Sequence, residues 1–348
     1  MPLSRIELTN VRCFPDLAID LPGQLVVVAP NGQGKSTILE AITMLALTRS
    51  HRTRSDGDVI RTDQTSATIT GYLGPRQPLR IVLSRDRDRV VKQANRLGQI
   101  VPLTGLIGMI RVVTFGPEDT ELMTGAPRLR RGLLDSLLLQ RNPTYSQTLL
   151  SFHRAVKQRN ALLARGGSLE TIRSAITVWD LLFVEAATAI IRERLALVAE
   201  LEAATQRFLQ TMNLPFTVTL RYQASVPDLD RFDELVAARL ERDRDLGSTS
   251  IGPHRDDLAV TLNGRLVGNA SRGEQRALLV ALKLAEYERL AAGATEPPLF
   301  LVDDVFSELD ADRRELVATH LADRPCIITT ADAALIPTIL SSLPRHTL

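Results

Sequence analysis

Residues 29–37 read APNGQGKST, and this stretch constrains the chain more than any other. In the pattern G-x-x-x-x-G-K-[ST], successive backbone N–H groups wrap the terminal phosphates of a nucleotide. The lysine reaches the β- and γ-phosphates, and the hydroxyl residue holds Mg²⁺. Gly32 and Gly34 supply the bare backbone, Lys35 the cation and Ser36 the hydroxyl, with Asn31, Gln33 and Thr37 filling the other positions. Ala29 stands where the pattern has glycine, but Pro30 biases its predecessor towards extended backbone, which alanine adopts without strain. The apolar run at 25–29 predicts a buried strand. Beyond the loop, Ile38, Leu39, Ile42 and Leu45 fall on one helical face. Strand, glycine loop and helix therefore come in the order a phosphate site needs. The bland alternative is a glycine-rich turn before a core helix. Against it, only four of the 42 basic residues are lysines (Lys35, Lys92, Lys157, Lys283), and one occupies the motif's lysine position.

The chain of 348 residues is long enough for about two domains. A hydrophobic content of 44% and a charged content of 24% are those of an ordinary globular protein. No apolar run approaches the roughly 18 residues of a membrane span, and the N-terminus lacks a signal-peptide pattern. Together these predict a cytoplasmic protein with no membrane partner. Cys13 and Cys326 have no metal-ligand or redox spacing, so reduced thiols are expected. The net charge is only +2, yet Arg128, Arg130, Arg131, Arg141, Arg154, Lys157, Arg159 and Arg165 face only Asp135 between positions 128 and 165. Such a basic segment suits a nucleic-acid backbone; a solvated helix face is the alternative.

The texture changes along the chain. RIELTNVRCF, LVVVA, SATITGYL and PLRIVLSRD are strand candidates in the first part. From about 130 to 210, apolar residues recur every three to four positions, which predicts helices. FTVTLRY and LAVTLNGRLV return to strand character, and PPLFLVDDVFSELD and PCIITTA carry apolar runs suited to central parallel strands. The expected organisation is an α/β nucleotide-binding lobe, 1–115 with 296–348, interrupted by a mainly helical lobe at 116–295. Trp179 is expected in the core of that lobe.

PLFLVDD delivers two carboxylates at the end of a hydrophobic strand. Asp303 suits Mg²⁺, directly or through water, and Asp304 suits polarisation of an attacking water. Because neighbouring strand residues point to opposite faces, different roles are expected for the two; the alternative is a solvated Asp-Asp turn. SRGEQRALLVALKLAEYERL opens with Ser271 and Glu274 in capping-box spacing, while Ser271 and Gly273 at a helix N-terminus also suit an anion. Both readings can hold at once. SELD, ending at Asp310, is either a helix cap or a loop meeting a partner subunit. His51, in SHRTRSD, and His254, in GPHRDD, are polar-phrase histidines open to a nucleotide, DNA, interface or plain structural role.

With these four motifs in order, the chain resembles ABC-type ATPase heads of the SMC and Rad50 kind, but it is too short to carry their coiled coils. LTNVRCF, SHR, VTFGPEDTELMTGAPRLRRGLLD, GPHRDDL, SRGEQRALLVALKLAE and LFLVDDVFSELD resemble the RecF family over essentially the full length. The resemblance implies an α/β P-loop ATPase head with an inserted helical lobe. It implies that residues 29–37 grip ATP, that Ser36 and Asp303 serve Mg²⁺, and that Asp304 serves the catalytic water. Ser271, with Gly273, would complete the opposing subunit's site in an ATP-dependent homodimer, and Asp310 would lie at the dimer interface. It further implies weak DNA-dependent ATP hydrolysis, binding to gapped or junction DNA, and work with RecO and RecR in loading RecA. Two departures, Asp304 where most such ATPases have glutamate and Thr329 or Thr330 where a switch histidine is usual, point to slow hydrolysis. A transporter-type ATPase subunit and a non-hydrolysing ATP clamp are the competing classes.

Overall fold

The structure, a computed structural model, describes residues 2–74, 77–87 and 89–348. The chain divides into two compact units, one of Met1–Thr120, Ala204–Pro215 and Ser271–Leu348, the other of Glu121–Ala203 and Phe216–Ala270.

The first unit holds two sheets. Strands β1 (Leu3–Val11), β2 (Phe14–Asp20), β4 (Ser66–Leu73), β5 (Gln77–Asp86), β6 (Arg89–Arg96) and β7 (Gln99–Val101) form an antiparallel sheet in the order β2-β1-β4-β5-β6-β7. Alternate residues such as Leu79, Ile81 and Leu83 are buried, the period-two pattern of a sheet with one face on the core. Strands β3 (Gln24–Val28), β8 (Val112–Phe115), β12 (Leu299–Asp303), β13 (Cys326–Thr330) and β14 (Arg345–Thr347) form a parallel sheet in the order β14-β3-β13-β12-β8. Its central strands are continuous apolar runs, and Val26, Val27, Val302 and Ile328 are wholly buried. Since all run parallel, the glycine loop after β3 and the aspartates after β12 emerge at one edge, flanking the end of β13. Ligands of open α/β sheets bind at such carboxyl ends.

Helix α1 (Lys35–Leu47) is buried all round, with only Ser36 outside the buried set, rather than on the single face its spacing suggests. The reason is its position: its apolar residues share one core with side chains from both sheets. Gly71 of β4 permits the approach, since a Cβ there would lie 2.6 Å from Leu45. Helices α8 (Arg272–Ala291) and α9 (Ala311–Leu321) complete the unit. Tyr287 of α8 stacks on Phe300 of β12 at 5.7 Å, and Arg111 donates to the Leu290 carbonyl at 2.7 Å. These contacts place α8 in the first unit, whereas the sequence assigned 116–295 wholly to the inserted lobe.

The second unit contains α2 (Glu121–Thr124), α3 (Pro127–Arg141), α4 (Pro143–Arg165), most of α5 (Leu169–Thr211), α6 (Phe232–Ala238) and α7 (Leu240–Leu246). It also has a small antiparallel sheet of β9 (Val218–Gln223), β10 (Asp257–Leu262) and β11 (Arg265–Leu266). Helix α5 is 43 residues long and carries an 18-residue stretch of mean hydropathy 1.6, long and apolar enough to cross a membrane by length and composition alone. That exceeds the apolar runs recognised in the sequence. Its Ile172, Ile176, Phe183 and Ile190 are nonetheless buried, and Asp180 pairs with Arg159 at 2.6 Å. Trp179 is half-buried under the Arg154 guanidinium, not in the core.

Four of the eight basic residues at 128–165 are consumed by this packing. Arg159 is fully buried, bonded to Asp180, Asp243 and Thr249. Arg130 makes two 2.8 Å bonds to Asp257, Arg141 pairs with Glu200, and Arg131 donates to the Asp256 carbonyl. Arg128, Arg154, Lys157 and Arg165 remain exposed. The segment therefore presents about half of the charge its composition suggests.

Candidate nucleotide site

At the edge of the parallel sheet lies a cleft of about 400 Å³ lined by the glycine loop, the start of α1, Asp303 and Asp304. Gly32 and Gly34 have φ of 84° and 93°, the left-handed region that glycine tolerates. Gly34 is doubly required: a Cβ there would fall 2.5 Å from the Phe14 ring and 2.6 Å from the Cys13 sulfur. Ala29 is absent from the positive-φ residues among those described, and its N–H bonds the Thr330 carbonyl at 3.2 Å. Glycine is accordingly unnecessary at that position. Pro30, Asn31 and Gln33 are exposed along the loop, and Thr37 is buried in the first turn. The buried Lys35 ammonium donates to the carbonyls of Ala29 at 2.5 Å and Pro30 at 3.1 Å, and to Asn31 Oδ1 at 3.3 Å. Helix α1 starts at Lys35 with no side-chain cap, so its first N–H groups and dipole face the cleft as an anion site.

The two aspartates reach the same cleft, contrary to the opposite-face expectation. β12 ends at Asp303, and Asp304 takes φ 51° and ψ 25°, a left-handed backbone that breaks the strand alternation at a cost of roughly 1 kcal/mol. Thr329, buried at the end of β13, fixes both. Its hydroxyl lies 2.6 Å from Asp303 Oδ1 as donor, and it receives the Asp304 N–H at 3.2 Å. Among the described residues Asp304 Oδ1 meets only the Ala331 N–H, at 3.4 Å, a long bond that leaves the carboxylate room for water.

Arg12 and Arg52 also line this cleft, a role the sequence reading missed although both lie within the quoted phrases LTNVRCF and SHR. Arg12 forks onto Glu40 of α1 at 2.5 and 2.7 Å, and Ser50 donates to the same carboxylate at 2.5 Å. Burial alone would raise the Glu40 pKa; Arg12, Ser50 and Arg52 together hold it below the usual carboxylate value. The missed signal was a conspicuous one: a glutamate inside an apolar helix needs a buried partner.

Ser271, Gly273 and Asp310 form a second cluster. The capping box is present: Ser271 Oγ accepts from Glu274 N at 3.2 Å, and Ser271 N donates to Glu274 Oε2 at 2.7 Å. Asp310 caps α9 by accepting from Arg313 N at 2.9 Å and pairs with the Arg313 guanidinium. That guanidinium lies 3.6 Å from where a Gly273 Cβ would stand, joining the two helix starts. None of these three residues lines the cleft of Lys35 and Asp303. His51 is exposed, whereas His254 packs against Phe152 and Phe183 in the second unit and its Nε2 donates to the Thr249 carbonyl at 3.2 Å, a structural position.

A parallel sheet with a P-loop, an acidic strand end and a capped signature-type helix defines an ATPase head of ABC type. An AAA domain family matches residues 5–105. The head domain of Smc from Pyrococcus furiosus, 13% identical, superposes with a TM-score of 0.51 over 96% of this chain and 90% of its own. The DNA replication and repair protein RecF of Streptococcus suis is 38% identical over 334 residues, 93% of this chain and 90% of that protein. A structure of the recombination mediator protein RecF with ATP, in the RecFOR pathway, is 25% identical with a TM-score of 0.85, covering 95% of this chain and 92% of its own. The chain belongs to the RecF family.

Proposed function

We propose that this chain is an ATP-gated DNA-binding protein of recombinational repair, in which ATP clamps two heads together and slow hydrolysis releases them. The observation that supports this reading best is the division of its site residues into two separate clusters on one chain. Lys35, Ser36, Asp303 and Asp304 line a cleft, while Ser271, Gly273 and Asp310 sit apart at an exposed helix start. Each cluster lacks what the other has, so a second copy completes both.

In this reading the loop at 29–37 and the start of α1 bind the ATP phosphates, and Lys35 exchanges its carbonyl partners for phosphate oxygens. Ser36 and Asp303 would hold Mg²⁺, which would supply neutralisation of the phosphate charge. The residues suit it: Ser36 and Asp303 share the cleft with the phosphates, and among the described residues no cluster of three His, Cys, Asp or Glu side chains forms a cage of its own. Magnesium is ordinarily held in this way, by one or two protein oxygens plus phosphates. Asp303 is held in place by Thr329, and Asp304 takes the proton from the attacking water. Ser271 of each head meets the γ-phosphate held by the other, and Asp310 meets the partner across the interface. The family resemblance adds gapped or junction DNA as the substrate, RecO and RecR as partners, RecA loading as the outcome and the cytoplasm as the place.

Asp304→Asn tests the chemistry. We expect ATP binding to persist, dimers to accumulate and phosphate release to fall roughly 100-fold or more, the usual worth of a general base. Hydrolysis at the parent rate would remove Asp304 from that role.

A further inference from the structure

A second basic region, unnoticed in the sequence, lies on the first unit. Residues 49–96 hold eleven lysines and arginines against five aspartates and no glutamate. Within it, Arg85 of β5, Arg87, Arg89 at the start of β6 and the segment 55–57 line an open cleft of about 440 Å³. All three arginines are exposed. Asp56, also on the wall, is already paired with Lys92 at 2.8 Å, and Asp58 accepts the Thr53 hydroxyl at 2.5 Å. Asp86 stands 3.9 Å from Arg89 with both side chains largely in water, a pair that holds little. Among the described residues the only hydrophobic one on the walls is Val90, so the cleft has little of the apolar centre of a protein-binding patch. Guanidinium forks in an open polar groove match phosphate oxygens in pairs.

The cleft is wired to the nucleotide site. Arg85 donates to the Gly57 carbonyl at 3.0 Å. Ser55 N bonds the Thr53 hydroxyl at 3.1 Å, and Thr53 N bonds the Ser50 hydroxyl at 3.1 Å. Ser50 in turn donates to Glu40, on the helix that begins with Lys35 and against the Arg12 and Arg52 that line the nucleotide cleft. Arg85 and Glu40 are thus ends of one hydrogen-bonded segment.

We propose that the cleft of Arg85, Arg87 and Arg89 binds backbone phosphates of duplex DNA and transmits that binding to the nucleotide site through residues 50–57. The inference rests on the DNA-binding reading above and gives it a surface outside the segment at 128–165, half of whose basic residues are paired internally. Coupling of this kind is reciprocal: DNA tightens ATP by the factor by which ATP tightens DNA.

The test is a salt series of labelled-duplex binding by the full-length protein with ATP and Mg²⁺, comparing the parent with Arg87→Ala/Arg89→Ala. Both side chains are exposed, Arg87 just after β5 and Arg89 at the start of β6, and ATP affinity without DNA should stay at the parent value, which also verifies the fold. The log–log salt slope should shrink by about 1.8, for two lost phosphate contacts at roughly 0.9 each. Thr53→Val should keep the parent DNA slope but lose the change in ATP affinity that DNA produces. A parent that binds no DNA would overturn the proposed function and this site together. A parent that binds DNA and a double variant with the same slope would refute the cleft alone. Loss of binding to polyglutamate with DNA binding unchanged would give the cleft to an acidic protein and likewise refute it. A Thr53→Val protein with undiminished DNA effect on ATP would overturn the relay.

Discussion

Arg159 offers the sharpest separation between a charge that binds a partner and one that holds the fold. It has no exposed surface, and its Nε and Nη1 reach Asp180 at 2.6 Å, Asp243 at 3.4 Å and Thr249 at 2.7 Å, with Phe183 beneath it at 5.1 Å. Truncation to alanine would strand two carboxylates, Asp243 fully buried and Asp180 mostly so, without their cation. Breaking a buried pair from one side costs about 3–5 kcal/mol. For a unit of this size that lowers Tm by roughly 10 °C. Thermal melts followed by circular dichroism measure the loss, and the salt slope of DNA binding, taken well below the transition, should match the parent. Replacing Arg159 by methionine together with Asp180→Asn and Asp243→Asn should recover part of the stability, because no buried charge is then left alone. An Arg159→Ala protein that melts within about 1 °C of the parent while losing salt dependence would refute this and return Arg159 to the DNA surface.

Two further outcomes follow from the geometry. Thr329→Val keeps the shape of β13 but removes the donor to Asp303; a hydrogen bond to a charged group is worth about 1.5–3 kcal/mol, so the Mg²⁺ concentration for half-maximal hydrolysis should rise at least about tenfold, and an unchanged Mg²⁺ requirement would deny Thr329 that role. Burial against Phe152 and Phe183 pushes His254 down to about 4 from its ordinary 6.5, so its contribution to stability is complete above 6.5 and is lost as pH falls through about 4. Urea midpoints between pH 7 and 4 should therefore fall less steeply in His254→Gln than in the parent, and parallel profiles would contradict the assignment.

The glycine loop between β3 and α1 was legible because its geometry is local: spacing, glycine and lysine lie within nine residues. The capping box of Ser271 and Glu274 was legible for the same reason, since both partners lie in one helical turn. What the sequence concealed depends on distance along the chain. The pairing that takes up half of the basic segment at 128–165 joins residues 84 and 127 positions apart, Arg159 with Asp243 and Arg130 with Asp257. Composition counts such charges as free. The convergence of Asp303 and Asp304 depends on one left-handed residue after a strand, where alternation no longer applies. The apolar spacing of α1 indicated a face, whereas a helix between two sheets is buried throughout and needs Glu40 neutralised by Arg12 from β1's end.

The central claim, that two heads share ATP between the cleft of Lys35 and the helix start at Ser271, is tested most directly by sedimentation velocity with and without ATP and Mg²⁺. Parent protein should shift from monomer to dimer when ATP and Mg²⁺ are added, and Asp304→Asn should hold the dimer longer. Ser271→Arg should bind ATP with parent affinity yet remain monomeric, because arginine places bulk where the partner's phosphates must lie. As a helix cap alone, Ser271 would cost about 1 kcal/mol on substitution and leave association intact. A Ser271→Arg protein that dimerises normally on adding ATP, with only a slightly lower Tm, would contradict the shared site.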